Sequence, residues 1–193
     1  EIVALAATQA TIENLSGDFR WLTGTVDGSG EVREKIGTFA VQRGAAGAAN
    51  KYNIKVSDAD FSDMHRWCSD GVDRWEIEQI IIDEPPTKRL LKAGAQDLDL
   101  DRVVACVLLD LPRLTRDFTI TLETAANGVR SLVFMPLGSL KEQLARIVVI
   151  LDGDDPKEVI VDDARNTRLR LVMLSLKKNQ QMNETIFRPA PKN

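Results

Sequence analysis

His65 is the only histidine, so acid–base chemistry near neutral pH would have to start from it. A hydrolase built on His65 needs a presented nucleophile, and no Gly-x-Ser-x-Gly turn accompanies it. A strand histidine two residues from Trp67 reads instead as a packed or surface side chain. Asp152, Asp154, Asp155, Asp162 and Asp163 crowd together as calcium ligands would, yet their spacing fits no EF-hand loop. A hairpin turn with solvated strand ends accounts for them. Cys68 and Cys106 lack the further ligands of a zinc site. They form either one bridge in an oxidising compartment or two separate buried thiols. No glycine-rich phosphate loop is present, and the net charge of −4 argues against a nucleic-acid partner. The residues call for no cofactor and no metal, and they point to a binding protein rather than an enzyme.

The elements that would build such a binding site follow from periodicity. The 193 residues suit one domain spanning 1–193, and no linker divides them. No apolar run approaches the roughly 20 residues that span a bilayer. The chain opens Glu1-Ile2-Val3-Ala4-Leu5, without the basic and apolar regions of a signal peptide, and reads as a processed or trimmed product. Ile2, Leu5, Ala6, Ile12 and Leu15 predict an N-terminal helix over 2–15, closed by Gly17. The period then changes to two, with Phe19 and Trp21 on one side and Arg20 and Leu22 on the other. Asp27-Gly28-Ser29-Gly30 predicts a hairpin returning over 32–43. Further strands are expected at 51–57, 61–69, 74–82 and 87–91.

Leu100, Val103, Val104, Val107, Leu108 and Leu111 fall on one helical stripe, so a second helix is expected over about 99–111, stopped by Pro112. Ala105, Cys106 and Leu109 lie outside that stripe, so this helix is apolar nearly all round and must be covered or must itself be a cover. Strands follow at 118–123, 129–136, 146–151, 158–163, 168–176 and 184–187, with turns at Asn127-Gly128, Asp152-Gly153, Arg165-Asn166 and Lys178-Asn179. The expected fold is mainly β, an antiparallel sheet of about eleven hairpin-linked strands that curls around helical segments.

Three segments occur in an order that resembles the LolA-like periplasmic lipoprotein carriers. They are Gly37-Thr38-Phe39-Ala40-Val41-Gln42-Arg43, then Ser69-Asp70-Gly71 with Trp75, then Phe187-Arg188-Pro189. Between the last two comes an apolar strand with Leu132 and Phe134 that ends in Pro136, as in that family. The resemblance runs from about residue 10 to 190 and departs at Gly44, where the family has proline, and in the alanine-rich loop that follows.

The resemblance implies an unclosed antiparallel barrel with a helical lid, holding acyl chains of lipoproteins or lipids. It implies a periplasmic location and only transient membrane contact. The implied partners are an inner-membrane lipoprotein-releasing transporter and an outer-membrane acceptor. It assigns Arg43 to holding the lid shut through hydrogen bonds; without the resemblance, Arg43 reads equally well as an exposed strand arginine. The cavity and lid would be lined by Phe19, Trp21, Phe39 and Trp75, with Val103, Val104, Val107, Leu108 and Leu111. A bridge between Cys68 and Cys106 would tie that lid to a strand. A non-transporting periplasmic sensor or protein-docking module on the same half-barrel is the alternative.

Overall fold

The computed structural model describes residues 2–45, 48–58, 63–80, 84–91, 104, 108–109 and 111–189. Helix α1 (Ile2–Ala10) precedes six strands: β1 (Asn14–Thr25), β2 (Arg33–Gln42), β3 (Lys51–Ser57), β4 (Met64–Ser69), β5 (Arg74–Gln79) and β6 (Thr87–Leu91). A short helix α2 (Leu111–Leu114) then leads into β7 (Phe118–Thr124), β8 (Arg130–Pro136), β9 (Leu144–Asp152), β10 (Asp155–Asp163), β11 (Thr167–Met173) and β12 (Lys177–Lys178). Single 3-10 turns lie at Gly138–Glu142 and Glu184–Phe187. Among the described residues no helix is long and apolar enough to cross a membrane.

All twelve strands belong to one antiparallel sheet in the order β6-β5-β4-β3-β2-β1-β11-β10-β9-β8-β7, with β12 beside β1. Along that order every neighbouring pair is a hairpin except β1–β11, which joins the two halves; the added pair β1–β12 is likewise not a hairpin. The sheet ends at β6 on one side and β7 on the other, so it is an unclosed barrel, as the resemblance implies. The expected turns form where a positive φ is needed, at Gly28 (73°), Gly128 (80°) and Gly153 (61°).

Register decides which face is buried. Leu15, Phe19 and Trp21 share one face of β1; across the ladder they meet Val41, Gly37 and Lys35 of β2, and Phe19 and Trp21 meet Met173 and Leu171 of β11. The same face continues through Ile54, Val159, Val149, Leu132 and Phe134, all buried in one continuous core. Strand alternation then puts every intervening side chain on the outer face. Gly37 sits directly opposite Phe19, and a Cβ there would lie 2.3 Å from the Phe19 ring and 2.8 Å from the Lys55 carbonyl. The missing side chain lets Phe19 lie across the strand.

The outer face carries one buried charge. Asp162 of β10 is 2% exposed and lies in register with Arg146 of β9 and Arg168 of β11. Arg168 donates to it through Nε at 2.6 Å and Nη2 at 2.9 Å, and Arg146 through Nε at 2.9 Å. The Arg168 bonds are the main reason its carboxyl ionises below the usual carboxylate range, against the cost of burial.

Some expectations need correction. The N-terminal helix ends at Ala10 rather than at residue 15, because Ile12 N–H bonds to the Gln9 carbonyl at 2.9 Å and the chain then enters β1. Leu15 therefore packs as a strand residue. The strand expected over 61–69 begins at Met64, and residues 59–62 lie outside the described residues. Residues 184–187 form a 3-10 turn, not a strand, because Asn183 caps it by accepting from Thr185 N–H at 3.0 Å.

Two predictions follow from this packing. Gly37→Ala overpacks the Phe19 contact, so the urea midpoint should fall by the equivalent of about 1–3 kcal/mol with the slope unchanged. Asp162 has a folded pKa below its unfolded one. Its stabilisation is therefore full above the unfolded value of about 3.9 and is lost as pH falls through the folded value. Asp162→Asn should be about 1–3 kcal/mol less stable at neutral pH, and its stability should decline less on acidification than the parent's.

Candidate functional site

The concave face is covered from the segment between the two free sheet edges. Val104, Leu108, Leu109, Leu111 and Leu114 are all buried in the same core as Phe19 and Phe39. Val103, Cys106, Val107 and Leu100 lie outside the described residues. Pro112 lies in the first turn of α2, where its missing N–H is tolerated, and most of the helix expected over 99–111 lies outside the described residues. Gln9 of α1, itself buried, reaches this stretch: its Nε2 donates to the Leu108 carbonyl at 3.4 Å, and its Oε1 accepts from Leu111 N–H at 3.4 Å.

Arg43 clamps the same place. It follows β2 immediately, and its guanidinium donates from Nη2 to the Leu109 carbonyl at 2.6 Å and to the Gln9 carbonyl at 2.8 Å, and from Nε to the Ile12 carbonyl at 3.1 Å. Its own N–H bonds to the Glu13 carbonyl at 2.8 Å. One half-buried side chain thus joins the covering segment, α1 and the β1 entry through backbone oxygens, a task that needs the fork of donors lysine lacks.

A row of rings crosses the concave face. Phe39 and Phe19 have centroids 6.2 Å apart, Phe19 and Trp21 6.3 Å, Trp21 and Trp67 6.0 Å, and Trp67 and His65 5.7 Å. Trp21 and Trp67 are stacked at 12°. Around the far end the face becomes charged. Trp67 Nε1 donates to Glu76 at 3.3 Å, and Arg89 pairs with the same carboxylate. His65 Nε2 lies 3.2 Å from Glu78, and Lys35 bridges Asp58 and Asp63 at 3.2 and 2.7 Å. The site is an apolar floor with a charged rim.

Phe19, Trp21, Phe39, Val104, Leu108 and Leu111 come together on this face. Trp75 does not. It pairs with Cys68, whose partner in β3 is Asn53, whereas the inward residues there are Tyr52 and Ile54. Trp75 therefore stands on the outer face, and Trp67 takes the inward place expected of it. The bridge between Cys68 and Cys106 is absent: Cys68 is a free thiol, fully buried on the outer face, away from Val104 and Leu108. Burial pushes its pKa up. Gln9 and Trp67 were not singled out from sequence. The parity of His65 and Trp67 within an alternating strand was the signal for Trp67, and nothing marked Gln9.

The Ser69-Asp70-Gly71 and Phe187-Arg188-Pro189 segments meet in space. Asp70 Oδ1 accepts from Val72 and Asp73 N–H, both at 2.9 Å, and its Oδ2 accepts from Arg188 Nε at 2.8 Å. Burial opposes ionisation of Asp70, but these donors outweigh it and hold the pKa low. Gly71 takes φ 93° in the same turn. Phe187 is fully buried behind this fastening. Three more of the aspartates clustered in sequence are engaged: Asp154 with Arg130, Asp155 with Lys178, and Asp163 with the N–H groups of Arg165 and Thr167.

No family model matches the chain, and no curated protein matches it. Solved structures do. A DUF1329 family protein from Desulfovibrio piger is similar at TM-score 0.54 and 11% identity, covering 96% of this chain and 95% of that one. A putative outer membrane lipoprotein-sorting protein domain from Vibrio parahaemolyticus is similar at TM-score 0.50 and 11% identity, covering 96% and 94%. The fold is LolA-like. At such identity the likeness speaks for the fold alone. A LolA superfamily protein from Nitrosomonas europaea, at TM-score 0.46 and 10% identity over 95% and 96% of the two chains, adds no weight of its own. The half-barrel presents an apolar concave face under buried leucines whose backbone Arg43 and Gln9 hold.

Arg43→Lys keeps the charge but loses the fork. Hydrogen exchange at the amides of Leu108, Leu109 and Leu111 should quicken about tenfold or more, with global stability down by about 1.5–3 kcal/mol. Exchange that stays at the parent rate at these three amides would show that the cover is held by packing alone.

Proposed function

We propose that the chain is a periplasmic carrier that binds acyl chains of lipoproteins or lipids against the concave face and delivers them toward the outer membrane. The observation behind this reading is the cover itself. Leu108 and Leu109 complete the apolar core, and among the described residues their carbonyls accept side-chain hydrogen bonds from Gln9 and Arg43. Such a segment can leave as a unit and be replaced by hydrocarbon.

Magnitudes support the exchange. Exposing Val104, Leu108, Leu109 and Leu111 costs roughly 1.5–3 kcal/mol each, about 6–12 in all. One acyl chain of about 14 methylenes regains about 11 kcal/mol at roughly 0.8 per methylene. A single chain therefore about balances the opening, and a cargo with two or three chains drives it. Release needs only an acceptor whose site binds better, so the work is done by relative affinity with no bond made or broken. An inner-membrane lipoprotein-releasing transporter upstream and an outer-membrane acceptor downstream are the partners this reading calls for. Arg43 acts as the latch, and Phe19, Trp21 and Phe39, with Val104, Leu108 and Leu111, form the wall and cover.

Protein purified without detergent from a periplasmic extract should yield acyl lipid or lipoprotein by mass spectrometry of an organic extract. Arg43→Leu should change the amount retained by about tenfold. If parent and variant are both free of lipid and neither takes up a fluorescent fatty-acyl probe, the carrier reading fails and the half-barrel is a docking module.

A further inference from the structure

The outer face carries a groove of about 830 Å3 between strands β3 to β6 and the C-terminal segment around Ile186 and Arg188. Its floor is apolar, with Met64, Ile77 and Ile186, and among the described residues that line it none is Asp or Glu. Four cations line it instead, Lys55, Arg66, Lys88 and Arg188, in a chain whose net charge is −4. Register makes the arrangement sharper. Lys55 lies directly opposite Arg66, Arg66 opposite Ile77, and Ile77 opposite Lys88, so one row crosses four adjacent strands. Like charges directly opposite in a sheet are destabilising. Arg188 is neutralised by Asp70, and Arg66 donates to Asn53 and to the carbonyls of Ile186 and Arg188, so among the described residues no carboxylate pairs with Lys55 or Arg66. An anion in the groove would relieve the repulsion between them, and the floor below suits hydrocarbon.

We propose that this groove binds an anionic amphiphile: one hydrocarbon chain ending in a carboxylate or a phosphate. The size falls within the range of small-molecule sites, and the pairing of an apolar floor with a few convergent charges is their usual composition. The head would sit between Lys55 and Arg66 on the row, and the chain would run over Ile77 toward Ile186. The site lies on the opposite side of the sheet from the concave face, so it stands or falls independently of the carrier reading.

The test is an amide-detected NMR titration of the whole chain with dodecyl phosphate, dodecanoate, 1-dodecanol and inorganic phosphate. The two charged amphiphiles should shift the amides of Thr185, Ile186 and Arg188 and of strands β3 to β6. Dodecanol and inorganic phosphate should each bind about tenfold more weakly or worse. Tighter dodecyl phosphate points to a phospholipid-derived head, and tighter dodecanoate to a free fatty acid. Lys55→Gln with Lys88→Gln should weaken the better ligand about tenfold, and raised salt should weaken it in the unaltered protein. Binding that is indifferent to salt, equal affinity for dodecanol or for inorganic phosphate, or shifts confined to Leu108, Leu109 and Leu111–Leu114 would overturn the proposal.

Discussion

The pairing of β1 with both β2 and β11 makes two meanders into a single sheet, and so makes a single apolar face. That face runs from Ile54 through Phe19 to Leu132 and Phe134, too wide for the sheet to bury by closing on itself while β6 and β7 remain unpaired edges. Something else must keep water from it. Val104, Leu108, Leu109 and the α2 leucines do so, and the strength of their attachment sets how the molecule behaves. Packing draws them in without direction, as apolar burial does. Arg43 and Gln9 give the attachment a place, because a backbone carbonyl accepts only where it points.

The two faces divide the labour. Inside, rings and branched aliphatics form a surface with few polar partners until the rim at His65 and Glu76. Outside, charges dominate, and most are matched strand to strand, as Asp162 is with Arg146 and Arg168. The C-terminal segment belongs to the outer face. Its fastening to Asp70 explains why the two short motifs occur together: one supplies a turn with a spare carboxylate oxygen, and the other supplies the arginine that reaches it and the phenylalanine buried behind it.

Much of this could be read from residue order. The Asp-Gly and Asn-Gly turns were legible because few residues adopt positive φ, and the apolar stripe of β1 was legible because side chains alternate. Parity was less secure after a turn. Between Ser69 and Arg74 the chain uses enough residues that Trp75 and Trp67 could each have faced inward, and only pairing with Ile54 of β3 selects Trp67. An apolar helix over 99–111 was expected as the cover, and of it Val104, Leu108, Leu109 and Leu111 are described and buried. Its fastening was visible only in part: Arg43 was legible through resemblance, while its acceptors are main-chain oxygens, which leave no trace in side-chain sequence. Gln9 was hidden for a related reason, since its partners are the main-chain groups of Leu108 and Leu111, about a hundred residues away in the chain and adjacent in space.

The two lips of the open sheet, β6 and β7, are consecutive strands, and Val104, Leu108, Leu109 and the α2 leucines lie on the chain between them. The unpaired edges and the residues that shield the hollow are therefore neighbours in sequence as well as in space.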